Sequence, residues 1–371
     1  MVKRFEVLDS FRGLAAIFVV LFHMHYVGSI TELSFFRGTS LFVEFFFVLS
    51  GFVLAHGYGW KENLKFKDFV IARTFRLMPL HIVILIVFIL LEFGKLFAYQ
   101  HGFHFNDIPF TNETNPNDII PNLLLLQSWL PNANSLSWNT PSWSISIEYY
   151  MYMIFFASLL IKKENLKYIL WFLISITMFI FIFLGTEIAQ EILRGLSCFF
   201  GGVLTYLLYR NIEGKINFNK NYFTLFEIIL LILVVLTLSS DIEHKSLIAS
   251  LLFCMQVFIF AFEKGSVSQI LKQKIFLYLG KLSYSIYMIH SVILFFSLSI
   301  FMIIQKTFNI KLEIMVDNVR TIDLGNPIFN NISIVITLAI IIFLSGFTYK
   351  YIEQKGQKMG KLFKAKLSNK F

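Results

Sequence analysis

The chain has 371 residues, 57% of them apolar and only 15% charged, where a soluble domain carries about a quarter charged residues. That balance excludes an ordinary soluble globule. The formal charge of +9 calls for no nucleic-acid partner, because basic residues placed between apolar runs belong to a membrane rim meeting anionic lipid headgroups.

Apolar runs of roughly 17–25 residues suit membrane crossings. They predict an all-α polytopic helical bundle of about ten transmembrane helices, near 10–27, 40–57, 80–98, 143–161, 168–184, 192–209, 223–239, 246–262, 283–304 and 329–350. Lys3 and Arg4 ahead of an apolar run imitate a signal peptide. Asp9 and Arg12 interrupt that run, however, and no small-residue cleavage site follows it, so the first helix reads as uncleaved. With the N-terminus inside, 24 of the 32 Lys and Arg fall in cytoplasmic segments and seven in outer ones, and the long outer loop 99–141 has none. Both termini are therefore expected in the cytoplasm. The organisation expected is a membrane domain over 1–351 and a basic cytoplasmic tail over 352–371. Cys198 and Cys254 lie inside apolar runs and read as small packing residues, with neither a disulfide framework nor a metal site in prospect. No internal repeat is visible, which weakens an inverted-repeat transporter.

Ionisable residues inside a span are costly and usually face a protein cavity. The first helix carries Asp9, Arg12 and His23. Eleven residues separate Arg12 from His23, so they return to within roughly 20° of one face, about 16 Å apart. In the second helix Ser50 and Gly51 read as small residues for close helix packing, and Glu44 as a solvated residue near the outer end. Arg73 and Arg76 share a face just before Pro79; two guanidiniums at the cytoplasmic mouth suit phosphate contacts, although ordinary positive-inside charge explains them too.

In the fourth helix Ser144 and Glu148 follow Trp143. Glu148 and His23 are each about five residues inside an outer helix end, hence at a similar depth, and a carboxylate beside an imidazole would fix its tautomer and raise its basicity. In the ninth helix Ser283, Tyr287 and His290 form one polar stripe. His25, His56, His81, His101, His104 and His244 read as interfacial.

Together these motifs resemble the bacterial integral-membrane acyltransferase family 3, whose members include polysaccharide O-acetyltransferases. The likeness rests on Asp9-Ser10-Phe11-Arg12-Gly13-Leu14-Ala15-Ala16 leading to Phe22-His23. It continues in Phe46-Phe47-Val48-Leu49-Ser50-Gly51-Phe52, Arg73 to Pro79, Leu125 to Trp129 ahead of Ser142 to Glu148, and Ser283-Tyr284 to His290. Glu44 stands where the family more often has Asp, and no soluble hydrolase-like domain follows the last helix.

The resemblance implies acyl transfer from an acyl-CoA to a hydroxyl of an envelope glycan or small molecule in the plasma membrane, by an enzyme moving groups other than amino-acyl groups. The donor, most simply acetyl-CoA, is a substrate, and no bound cofactor is implied. On this reading His23 and Glu148 are catalytic and Arg12, Arg73 and Arg76 meet the donor. Asp9, Ser144, Tyr287 and His290 line the cavity. The alternative is a transporter or flippase of a glycan precursor that consumes no acyl-CoA.

Overall fold

In lipid every backbone N–H and C=O must be satisfied within the segment itself, so an apolar run becomes a helix. The computed structural model describes residues 3–103, 107–186, 189–215, 219–316 and 319–368. Its long helices are α1 (Glu6–Phe22), α2 (Phe42–Tyr58), α3 (Phe66–Gln100), α4 (Ser142–Leu159) and α5 (Glu164–Phe183). There follow α6 (Gln190–Ile212), α7 (Lys220–Ser239), α8 (Lys245–Phe260), α9 (Lys274–Phe308) and α10 (Pro327–Thr348). Each corresponds to one expected span. Seven helices are long and apolar enough to cross a bilayer by length and composition, the stretches 34–58 and 327–367 counting as one each, and α8 is a shorter apolar helix. The two others, α1 and α4, carry much of the polar sequence. The chain is a multi-pass, all-α membrane bundle.

Its packing inverts that of a soluble protein. Leu90, Phe93 and Phe97 on α3, Leu225, Ile232 and Leu236 on α7, and Val335, Ile336 and Phe343 on α10 are exposed, whereas Glu44, Glu227 and His290 are fully buried. Apolar side chains turned outward suit lipid, and the polar ones face other helices.

Two close crossings set the frame. A Cβ on Gly280 would lie 2.3 Å from the Asp9 carbonyl oxygen, and one on Gly13 2.5 Å from the Gly280 nitrogen. α1 and α9 therefore touch backbone to backbone. In the same way Gly51 abuts the Phe199 carbonyl and Gly202 that of Val48, each at 1.9 Å from a hypothetical Cβ, which joins α2 to α6. Small residues permit such approaches.

The connections alternate between two faces. On one, Lys3 donates to Tyr209 Oη and Glu213, the Lys3 carbonyl meets His56, Lys167 donates to the Gly59 carbonyl, and Lys364 pairs with Asp68. This terminal face gathers the start of α1 and the helix that follows α10. On the other, Tyr26 bridges to Ile322 beside a two-stranded hairpin, β1 (Glu313–Val316) and β2 (Val319–Ile322).

Several expectations need correction. α1 ends at Phe22, not 27, so His23 caps the helix instead of lying inside it. Part of the 99–141 loop folds in against α4. Leu125 is fully buried with φ +56°, and Ser128 and Trp129 donate to the Trp143 and Ser146 carbonyls of α4. His81, expected at the interface, is buried and meets the Asn122 carbonyl of that loop at 2.7 Å; His104 lies outside the described residues. α10 runs without a break through a π-helical turn, Tyr349–Glu353, into α11 (Gln354–Ser368). The tail expected from 352 thus begins inside a continuous helical run.

Candidate active site

A polar cavity opens on the terminal face between α1, α2, α3, α4, α9 and the π turn. Its lining includes Arg12, Ser50, Arg73, Arg76, Ser144, Glu148, Tyr152, Tyr287 and Glu353, with Arg4 and Lys281 also contributing. Five basic side chains thus face two carboxylates.

Each cation is presented differently. Arg12 sits one residue from the Gly13–Gly280 crossing, close enough to α9 for its Nε to donate to Ser283 Oγ at 2.9 Å. Its Nη2 reaches Asp9 at 3.1 Å and the Gly280 carbonyl at 3.3 Å. Asp9 also receives Arg4 Nε at 2.7 Å, so it serves the site through two arginines although it does not itself line the cavity. Arg73 is caged by the rings of Tyr58, Phe69 and Tyr152, 5.3–5.9 Å from its guanidinium carbon, and donates to Tyr58 Oη at 2.9 Å. Its buried Nε has no partner among the described residues. Arg76, half-buried in the cavity wall, has no ion-pair or hydrogen-bond partner among them either. Glu148 and Glu353 share the cavity with it, but a guanidinium in a low-dielectric wall without a direct partner leaves its donors unsatisfied, and an arriving anion can take them.

The anionic part was less legible. Glu148 accepts from Ser50 and Tyr152. Ser50 therefore does more than permit packing, while its neighbour Gly51 makes the close approach. Glu353 is buried, accepts from Ser285, and was missed by sequence reasoning. Its only sequence signal is a lone carboxylate two residues after Tyr349-Lys350-Tyr351, at the head of a basic tail. The π turn that aims it inward has no periodic signature.

Beyond the cavity, toward the opposite face, stand the two histidines. Tyr287 lines the inner end, its hydroxyl 2.8 Å from Ser144 Oγ and its ring against Phe46. One turn on, the ring of His290 is 5.9 Å from that of Tyr287 and 5.2 Å from that of His23. Arg37 holds the end of α1, donating to the Phe22 and Met24 carbonyls on either side of His23 and to His25 Nδ1. Burial first, and the Arg37 charge second, lower the His25 pKa, which suits a neutral imidazole accepting from the guanidinium.

This arrangement corrects the pairing expected at the site. Glu148 is not beside His23. It lies in the cavity wall with the arginines, while the aromatic neighbours of His23 are His290 and Phe22. Counting residues from helix ends misled because α1 stops at Phe22 and α4 starts amid the infolded loop. Glu44 is not solvated either. It is fully buried and accepts from Arg194 at 2.7 Å and Ser246 at 3.0 Å. The stripe on α1 meets the stripe on α9, Arg12 at Ser283 and His23 at His290.

Comparison with known proteins adds a family to this geometry. A family profile described as an acyltransferase domain matches residues 5–350. Acyltransferase MdmB of Streptomyces mycarofaciens is 34% identical over 117 residues, 31% of this chain and 27% of that protein. Protein 2 in picA locus of Rhizobium radiobacter is 42% identical over 89 residues, 22% of this chain and 43% of that protein. Peptidoglycan O-acetyltransferase OatA of Listeria monocytogenes is 28% identical over 173 residues, 43% of this chain and 25% of that protein. The chain thus spans less than half the length of each of these curated relatives. No solved structure matches.

Proposed function

We propose, from the premise that this chain belongs to the family of that acyltransferase domain, that it is a plasma-membrane O-acyltransferase. It would carry an acyl group, most simply acetyl, from acyl-CoA to a hydroxyl of an envelope glycan or related acceptor. The observation that carries the reading is the convergence of Arg12, Arg73 and Arg76 on one membrane-embedded cavity, in which Arg76 makes no direct ion pair or hydrogen bond among the described residues. Guanidiniums bind phosphate as paired, charge-assisted donors, and a CoA thioester is a phosphate-rich ligand with a long neutral arm. That the O-acetyltransferase of L. monocytogenes is a relative supports a glycan acceptor.

The terminal face is the cytoplasmic one on this reading, as the charge bias requires. Arg4, Arg73, Arg76 and Lys281 receive the donor's phosphates. Arg12 stands deeper, and the pantetheine arm passes the neck at Phe46, Ser144 and Tyr287 toward the histidines. A sugar hydroxyl arriving from the opposite face is a poor nucleophile and benefits from a positioned base. His23 removes its proton as the oxygen attacks the thioester carbonyl, the carbon–sulfur bond breaks, and His23 returns the proton to the departing thiolate. An acyl-histidine intermediate is the two-step variant. Glu148 has a different task from the one its position in the sequence suggested: it orients Ser50 and Tyr152 and balances the arginines while the cavity is empty.

The test is the covalent state of envelope glycans by mass, with wild-type protein, with His23→Ala and with neither. Acyl ester present only with the wild type supports the reading. Relocated glycan without new ester, or undiminished ester with His23→Ala at equal abundance, overturns it.

A further inference from the structure

The proposed base needs a partner, and Glu148 is not available for that work. We infer that His290 is the positioning residue for His23; this rests on reading His23 as the base. The Nδ1–H of His290 donates to the Tyr287 carbonyl at 2.7 Å, which fixes the tautomer and leaves Nε2 as a lone-pair acceptor. That Nε2 is buried without a partner among the described residues, on a fully buried ring 5.2 Å from the ring of His23. An orphaned acceptor in such a place is costly and calls for an explanation in the site's chemistry.

His23 supplies the matching donor. A neutral imidazole carries one N–H and one bare nitrogen. If the N–H is given to His290 Nε2, directly or through one water, the bare nitrogen is left for the acceptor's hydroxyl. The partner of a basic imidazole is usually a carboxylate or a carbonyl; here a second neutral imidazole does the work, so no net charge is stored in the membrane before the reaction. The balance is simple. The new oxygen–carbon bond replaces the carbon–sulfur bond, one proton passes from hydroxyl to His23 to thiolate, His290 keeps its own Nδ1 proton, and nothing is oxidised or reduced.

Two substitutions separate the roles of the two nitrogens. His290→Asn keeps an amide near the Nδ1 position, able to donate to Tyr287, but has no acceptor at Nε2. His290→Gln places an amide oxygen near Nε2. With acetyl-CoA as donor and isolated envelope glycan as acceptor, His290→Gln is expected to stay within about tenfold of wild-type turnover. His290→Asn falls about a hundredfold, as when the hydrogen-bond partner of a ligating imidazole is lost. KM for acetyl-CoA should stay unchanged in both, since the donor cavity is not touched. Equal losses in the two variants, or Asn outperforming Gln, overturns the inference. Should His290→Asn fail to accumulate, His290→Gln decides alone: turnover within tenfold supports it, and loss of all transfer with acetyl-CoA binding intact overturns it. If His23→Ala proves active, the reading of the base fails, and that outcome is distinct from any shown by the His290 variants alone.

Discussion

The two ends of the α1–α9 interface are built on opposite principles. At the terminal face, Arg12 and its neighbours form a charged cavity in which basic side chains outnumber carboxylates. At the other end, His23 and His290 face each other with no carboxylate in ion-pairing distance among the described residues. The same helices, crossing once at Gly13 and Gly280, thus present a binding surface that works by charge and a reactive pair that works by hydrogen bonding. Charge captures a polyanion at the water's edge at tolerable cost. Farther from that edge, unpaired charge is expensive, and neutral imidazoles give basicity without it.

The largest expected effect breaks the uncharged end alone. His23→Ala should lower acyl transfer by about 10²–10⁴-fold, the usual worth of a general base, while acetyl-CoA binding by the cavity stays as in wild type; isotope-labelled transfer and donor binding on the same purified protein check both. A loss of binding in parallel would merge the two regions into one.

Next comes the crossing that joins them. Gly280→Val drives side-chain atoms into the Asp9 carbonyl, 2.3 Å from the ideal Cβ, and both backbones would have to part. A cost of about 3 kcal/mol or more follows from overpacking. Thermal unfolding in detergent should drop sharply, with donor binding and transfer falling together. Retention of either would show that the ends do not share this frame.

Arg76→Ala addresses the charged end alone. Removing one charge-assisted contact should weaken acetyl-CoA binding by about 1.5–3 kcal/mol, roughly ten- to a hundredfold, and flatten the dependence of binding on salt. Turnover at saturating donor should change little; a fall in turnover with unchanged affinity contradicts a donor-binding role.

The smallest effect lies at the rim of the terminal face. Glu213 pairs with Lys3 at 2.7 Å, both about half exposed. Burial pushes its carboxyl up, but the hydrogen bonds from Lys3 and Tyr209 outweigh that, and its pKa is lowered overall. A carboxylate whose folded value is depressed stabilises the fold above its unfolded value, about 4.3, and loses that contribution as pH falls through the lower folded value. Glu213→Gln should therefore cost under about 1 kcal/mol at neutral pH, as surface pairs do. The gap to wild type, read from melting curves, should close in acid.

How much of this was legible follows from the physics of each signal. Long apolar runs were sufficient to place most of the helices, seven of them long and apolar enough to cross a bilayer, since lipid leaves the backbone few alternatives. Arg12, His23, Ser283 and His290 were legible as stripes because helical periodicity is local. Arg73 and Arg76 were legible as a pair, but not the aromatic cage around Arg73, since Tyr58, Phe69 and Tyr152 come from three different helices.

What the sequence determined by itself, then, was the class of protein, the approximate place of its helices and the residues too polar for lipid. Partnership was decided only by the tertiary structure. An infolded loop, the stop of α1 at His23 and a π turn at Tyr349–Glu353 set which polar groups meet. They set Glu148 among the arginines, Glu44 against Arg194, Glu353 in the cavity wall and His290 beside His23. Spacing along one helix specifies a direction and a height, but a contact between helices depends on where each begins, ends and crosses, and in this chain those points are fixed by glycines and loops far away in sequence.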